Sequence, residues 1–147
     1  MEWFNVFGLV FMVLIMIPNV IFAFRKKAGF ADQWENLIVE ILEQTGRFGC
    51  IAFMIINIPG TWFGWRSNGA FAAYLIVNSL LVIVYCVLWA VLWDKQGLFK
   101  ALALSVIPAA IFFFSGIMCR SLPLIAASLI FAPAHILISC KNAEQQK

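Results

Sequence analysis

The residues of this chain whose types and spacing could do chemistry are few: Asn19, Glu40, Glu43, Arg47, Tyr85 and His135. Glu43 and Arg47 stand in the acid-before-base i,i+4 order that favours pairing on a helix. The chain's single histidine is a side chain that could move a proton near neutral pH, and a glutamate in an apolar site could do the same. Asn19 and Tyr85 add neutral hydrogen-bonding groups. Two kinds of chemistry follow: the gripping of a small polar solute, or acid–base work on a lipid.

Other familiar chemistry is missing. The sequence contains no GxGxxG or Walker loop, no GxSxG elbow, no HExxH and no aspartate-rich pair. Its cysteines, Cys50, Cys86, Cys119 and Cys140, form no CxxC pair and no Cys/His cluster with metal-ligand spacing, so they read as small apolar residues. Cys140, at a predicted helix end, offers only a weak acylation signal. No metal and no cofactor is expected. Whether the protein is an enzyme is left open, since the set shows no recognisable nucleophile beside its base.

The elements that must position these groups are dictated by composition. The 147 residues are 64% hydrophobic and 12% charged, with a mean hydropathy of +0.97. Soluble domains are about 45–50% apolar and about 25% charged, so a water-soluble globule is excluded. The solvent for this chain is a bilayer. A single all-α integral membrane domain, 1–147, is expected.

Charge-free runs locate spans at about 3–24, 70–93, 101–119 and 121–140. At ~1.5 Å per residue each covers a ~30 Å hydrocarbon core, and runs this long without period-2 alternation are wrong for barrel strands. A further span is harder to draw. Phe48 to Ile58 is apolar but reaches only about 16 Å before Pro59-Gly60, which should end the helix. A crossing helix must therefore begin near Asn36 and carry Glu40, Glu43 and Arg47 with it, giving a span of 36–58. Trp34, Leu37, Ile38, Ile41, Leu42, Thr45 and Phe48 form its apolar stripe, and the charged residues lie opposite. Either a long helix turns its polar stripe into the bundle, or residues 31–47 lie flat on the membrane surface. The length favours the long helix.

With five spans, Arg25, Lys26, Lys27, Lys95, Lys100, Lys141 and Lys147 gather on one side and Arg66 and Arg120 on the other. That asymmetry predicts an outside N-terminus and a cytoplasmic C-terminus. "MEWFN" has no basic n-region, so the first span reads as a retained anchor rather than a removable signal. The net charge of +3 follows mostly from these anchors and does not point to nucleic acid. The strings "EILEQTGRFGC", "NIPGTWFGW", "LALSVIPAAIFFFSGI" and "FAPAHILIS" resemble those of a group of small five-span bacterial membrane proteins without an assigned activity. The resemblance implies the topology and a bacterial plasma membrane, and it carries over no functional residue.

Placed at their predicted depths, Asn19, Glu40, Glu43, Tyr85 and His135 fall in the cytoplasmic half, with Arg47 deeper. A lone central charge costs ~2.5–3.5 kcal/mol on insertion scales, so these groups must pair, face the bundle interior or touch water. A polar cavity open to the cytoplasm is expected, aided by carbonyls freed at Pro18 and Pro133. Each residue also has a plainer role available. Glu43–Arg47 could be a structural ion pair, Glu40 could snorkel to headgroups, and His135 and Asn19 could be packing residues bonded to neighbouring helices. Asn57 and Asn78 read as interhelical hydrogen-bonding residues. The favoured function is a small-solute binding or transport module, its solute cationic or amphipathic because Glu40 and Glu43 outnumber Arg47. The alternatives are an intramembrane enzyme acting on a lipid and a non-catalytic subunit or scaffold, with a homo-oligomer or a membrane partner in view.

Overall fold

Three of this chain's apolar runs become helices whose first turn is closed by a short polar side chain. A computed structural model describes residues 3–25 and 34–145. Lys26, Lys27 and Lys147, counted above as anchors, and residues 31–33 lie outside the described residues. The described residues form five helices: α1 (Val6–Arg25), α2 (Leu37–Ile55), α3 (Asn68–Val91), α4 (Leu98–Met118) and α5 (Leu122–Gln145). Asn5 caps α1 by accepting from the Gly8 N–H at 3.1 Å. Asn36 caps α2 through the Val39 N–H, and Ser67 caps α3 through the Ala70 N–H.

The end of α4 is a Schellman turn. The Ser121 N–H donates to Gly116 O at 2.9 Å and the Arg120 N–H to Ile117 O at 3.2 Å. Arg120 occupies the left-handed position usually given to glycine, with φ 55°.

Four of the helices, α1, α3, α4 and α5, are long and apolar enough to cross a membrane. α2 carries Glu40, Glu43 and Arg47 and is not among them. It is nevertheless one continuous helix, so residues 37–47 are not a rod separate from 48–55. It ends at Ile55 rather than at Pro59, where the sequence placed the break. The cause is a backbone pairing: Asn5 N–H donates to Ile55 O and Asn57 N–H to Trp3 O, forming an antiparallel bridge between Phe4 and Ile56. The same pairing delays α1 to Val6. α5 runs past Cys140, its expected end, to Gln145.

Specific contacts fix the order of packing. α1 meets α2 where Gly8 abuts the Met54 carbonyl, leaving no room for a Cβ. α2 meets α5 at Gly46, where a Cβ would lie 2.6 Å from Phe131 N. Phe112 and Phe131 join α4 to α5 with ring centroids 5.6 Å apart. Asn78 Nδ2 donates to Ser115 Oγ at 3.0 Å between α3 and α4. Two Asn–Tyr bonds, Asn5–Tyr74 at 3.2 Å and Asn19–Tyr85 at 2.8 Å, tie α1 to α3. The packing order is thus a ring, α1–α3–α4–α5–α2 and back to α1. α2 runs antiparallel to both its neighbours, from Trp34, whose N–H donates to Asn142 of α5, to the bridge at Ile56.

The outer surface is apolar on every helix. Val13 and Ile17, Ile38 and Phe48, Ile76 and Ile83, Val106 and Phe113, and Leu129 and Ile130 are all exposed. Apolar surface on this scale suits lipid rather than water, although Gln44 and Thr45 interrupt it on α2. The stripe of Leu37, Ile38, Ile41, Leu42 and Phe48 on α2 faces out, so its opposite face looks into the ring.

Candidate functional site

On that inward face of α2, Gly46 allows the helix to touch the backbone of α5, and Glu43 sits one turn earlier. Its side chain is only 3% exposed. One carboxylate oxygen, Oε1, gathers the local donors. It accepts from Arg47 Nε at 3.0 Å, from Arg47 Nη2, and from His135 Nδ1 at 2.9 Å. Against an ionised carboxylate, which has only acceptors to offer, this contact requires the imidazole proton on Nδ1 and leaves Nε2 for other partners. The ring is held from a second direction by stacking on Phe131, with centroids 4.6 Å apart and planes 19° from parallel.

A second polar pair lies between α1 and α3. Asn19 Nδ2 donates to Tyr85 OH and, at 2.9 Å, to Ile15 O within its own helix. Pro18 has no N–H to give to Leu14 O, four residues earlier. The Cys86 thiol of α3 lies 4.0 Å from that freed oxygen. The carbonyl that Pro18 leaves without its helical donor is therefore met by a thiol. Tyr85 is buried and packs edge-on against Trp89.

Between these two pairs lies a cavity of about 650 Å³ inside the ring. Asn19, Arg47, Tyr85 and His135 line it, while Glu43 lies behind Arg47 and His135. Glu40 does not reach it. Its carboxylate instead accepts the Asn36 N–H at 3.2 Å and closes the first turn of α2. The physical reason is position: the first-turn N–H groups of a helix lack helical acceptors, and a carboxylate there meets both that need and the helix dipole.

Sequence reasoning missed two contributors. Lys95 and Lys100, read as topology anchors, both line the cavity. Lys100 Nζ donates to Trp93 O at 3.1 Å and Lys95 O at 3.2 Å, and lies over the rings of Phe22 and Trp89. Its position in the first turn of α4 was the available signal, because a lysine there can fold back on the carbonyls of the preceding α3–α4 turn. The other omission was Gly46 with Cys50, a small-xxx-small pair on the face that carries Glu43. The lining described here holds Arg47, Lys95, Lys100 and His135 and no carboxylate. The negative wall expected from Glu40 and Glu43 is not formed, since one caps a helix and the other is covered by Arg47. The deeper wall is apolar, from Met12, Ile15, Ile51, Phe112 and Phe131.

Among the described residues no group of three or more His, Cys, Asp or Glu is placed to hold a metal ion. The fold and site together define an all-helical protein with membrane-compatible helices around an internal, basic-mouthed cavity. Comparison with family models, curated proteins and solved structures finds no match for the chain. What the cavity does must be read from its own geometry.

Proposed function

We propose that the protein crosses a bacterial plasma membrane five times, N-terminus outside and C-terminus cytoplasmic, and that its cavity binds a small amphipathic solute from the cytoplasmic side. The observation that carries this reading is the cavity itself. At about 650 Å³ it falls within the ~300–1,000 Å³ usual for ligand pockets, with mostly apolar walls and a few converging polar groups. Crossing by α2 is supported by its register, which pairs with α5 at Asn142 and with the start of α1 at Ile56. Two of its charges do not oppose this, because Glu43 and Arg47 pair with each other and His135 adds a hydrogen-bonding contact to the same carboxylate.

Mass spectrometry of small molecules that co-purify with the protein tests the reading. An amphipathic species should be retained by the native chain and lost from Ala101→Phe, which fills the cavity. Retention unaffected by filling would refute it. In proteoliposomes, transport would show as solute uptake that Glu43→Gln diminishes. One observation favours the second reading, an intramembrane enzyme acting on a lipid: the Glu43–His135 contact fixes the imidazole as a general base is fixed. Incubation with total lipid and a search for a His135-dependent mass change tests it.

A further inference from the structure

Resting on that reading, we infer that the solute is an anionic amphiphile, an acyl chain carrying a carboxylate or phosphate head. The head lies among Lys95, Lys100 and Arg47, and the chain lies along the apolar inner wall. The distribution of charge carries the sign. The described lining has cationic side chains from α2, the α3–α4 turn and α4 and no acidic one. The nearest buried acid, Glu43, spends its Oε1 on Arg47 and His135. A cationic head would meet no carboxylate among the described lining residues. A basic mouth whose long side chains run over apolar surface suits phosphate or carboxylate instead.

The distribution of polarity carries the amphiphile. Lys95 and Gln96 stand at the end of the bundle where α3 turns into α4, and Ser139 and Asn142 stand near the end of α5. Met12, Ile51 and Phe112 lie farther in. A head at the first level and a chain at the second repeat the layering of the bilayer around them. Access has a structural basis too. Met16 and Val20 of α1 line the cavity yet are 41% and 42% exposed. The wall on the α1 side therefore reaches the outer surface, which allows a chain to enter from the bilayer as well as from water.

The test uses the full chain in nanodiscs of zwitterionic lipid and reads quenching of tryptophan fluorescence, since Trp89 lines the cavity. The probes are dibrominated stearic acid, the alcohol and the amine with the same chain, and a dibrominated phosphatidylglycerol built into the disc. Acid should quench at lower concentration than alcohol, and alcohol at lower than amine. Lys95→Glu should weaken acid binding roughly fivefold, the effect of a partly exposed ion pair, and leave alcohol binding unchanged. Quenching by the phospholipid that unbrominated stearic acid reverses would make the bilayer the source. Quenching by the acid alone would make it a free amphiphile; both outcomes support the inference. Tighter binding of the amine, or a Lys95→Glu variant that binds acid as the native chain does, overturns the anionic assignment while the binding cavity stands. Quenching by no probe, or quenching equally present in Ala101→Phe, overturns the cavity reading and this inference with it.

Discussion

Gly46→Ala perturbs the point on which both the packing and the site depend. The added methyl would lie 2.6 Å from Phe131 N, 2.7 Å from its Cα and 2.8 Å from its Cβ. Carbon contacts are comfortable at ~3.5–4.0 Å, so α2 and α5 must part locally by roughly 1 Å. The opposing atoms are mostly backbone and cannot rotate away. Overpacking of this kind costs ~1–3 kcal/mol, and the upper end is apt here. Alanine returns up to ~1 kcal/mol of helix propensity, so a net loss of about 2 kcal/mol is expected. Parting the helices also stretches the 2.9 Å contact between His135 Nδ1 and Glu43 Oε1 beyond hydrogen-bond range. Gly49→Ala is the internal control. Its methyl would meet only side-chain carbons, Ala127 Cβ at 3.0 Å and Phe53 Cε2 at 3.8 Å, so strain and propensity nearly cancel. Reversible unfolding in mixed micelles, followed by tryptophan fluorescence, measures both. Phe131→Ala should not rescue Gly46→Ala because the clashing N and Cα remain, whereas Ala127→Gly should relieve any loss in Gly49→Ala. A Gly46→Ala protein as stable as the native chain, or one restored by Phe131→Ala, would refute the backbone-contact reasoning.

The same assay reaches the α3–α4 interface. Ser115→Ala strands Asn78, whose Oδ1 already has no partner among the described residues, and should cost about 1–2 kcal/mol. Asn78→Leu with Ser115→Ala should recover most of it, because an apolar pair leaves nothing unsatisfied; equal losses in the single and double variants would count against that. Arg120→Gly should stabilise by roughly 0.5–1 kcal/mol, since φ 55° is free of strain only for glycine, and a lower unfolding midpoint would contradict the Schellman assignment. Glu40→Gln should leave retention of co-purifying solute unchanged, because Glu40 serves the helix start. Glu43→Gln should alter retention through Arg47 and His135, and mass spectrometry of the two variants side by side decides whether the two acids differ in this way.

The helices were legible because a bilayer demands long apolar runs, and the sequence has them at the positions of α1, α3, α4 and α5. α2 was legible by its stripe: Leu37, Ile41 and Phe48 do face outward. Its end was not, because Ile55 is stopped by backbone pairing with residues 3–5, a long-range event that no local propensity encodes. Pro59, the local breaker, arrives too late to act. Within the site, the i,i+4 order gave Glu43–Arg47 directly, and depth along the spans brought Asn19, Tyr85 and His135 to one level. Glu40 was misplaced for a different reason. Its three-residue spacing from Glu43 puts both on one side of a helix, but the free N–H groups at Asn36 bind the nearer carboxylate first. Lys100 was hidden because a lysine at a membrane end satisfies the positive-inside pattern whether it points to water or folds back over Phe22 and Trp89.

The glycine contact and the charged cluster explain each other. An acid on a lipid-facing surface would pay most of its ~2.5–3.5 kcal/mol insertion cost without return. Glu43 avoids this only if α5 comes near enough for His135 to reach it, and a bulkier residue at 46 would hold α5 away. Arg47 covers Glu43 from one direction only, its own side chain being 43% exposed. His135 supplies the buried side of the arrangement, and Phe131, one turn before it, supplies both the surface that Gly46 touches and the ring on which the imidazole stacks. The polar cluster is therefore possible because α2 is narrow at one residue. The same narrowness leaves Arg47 in the cavity wall, with its charge offset by Glu43.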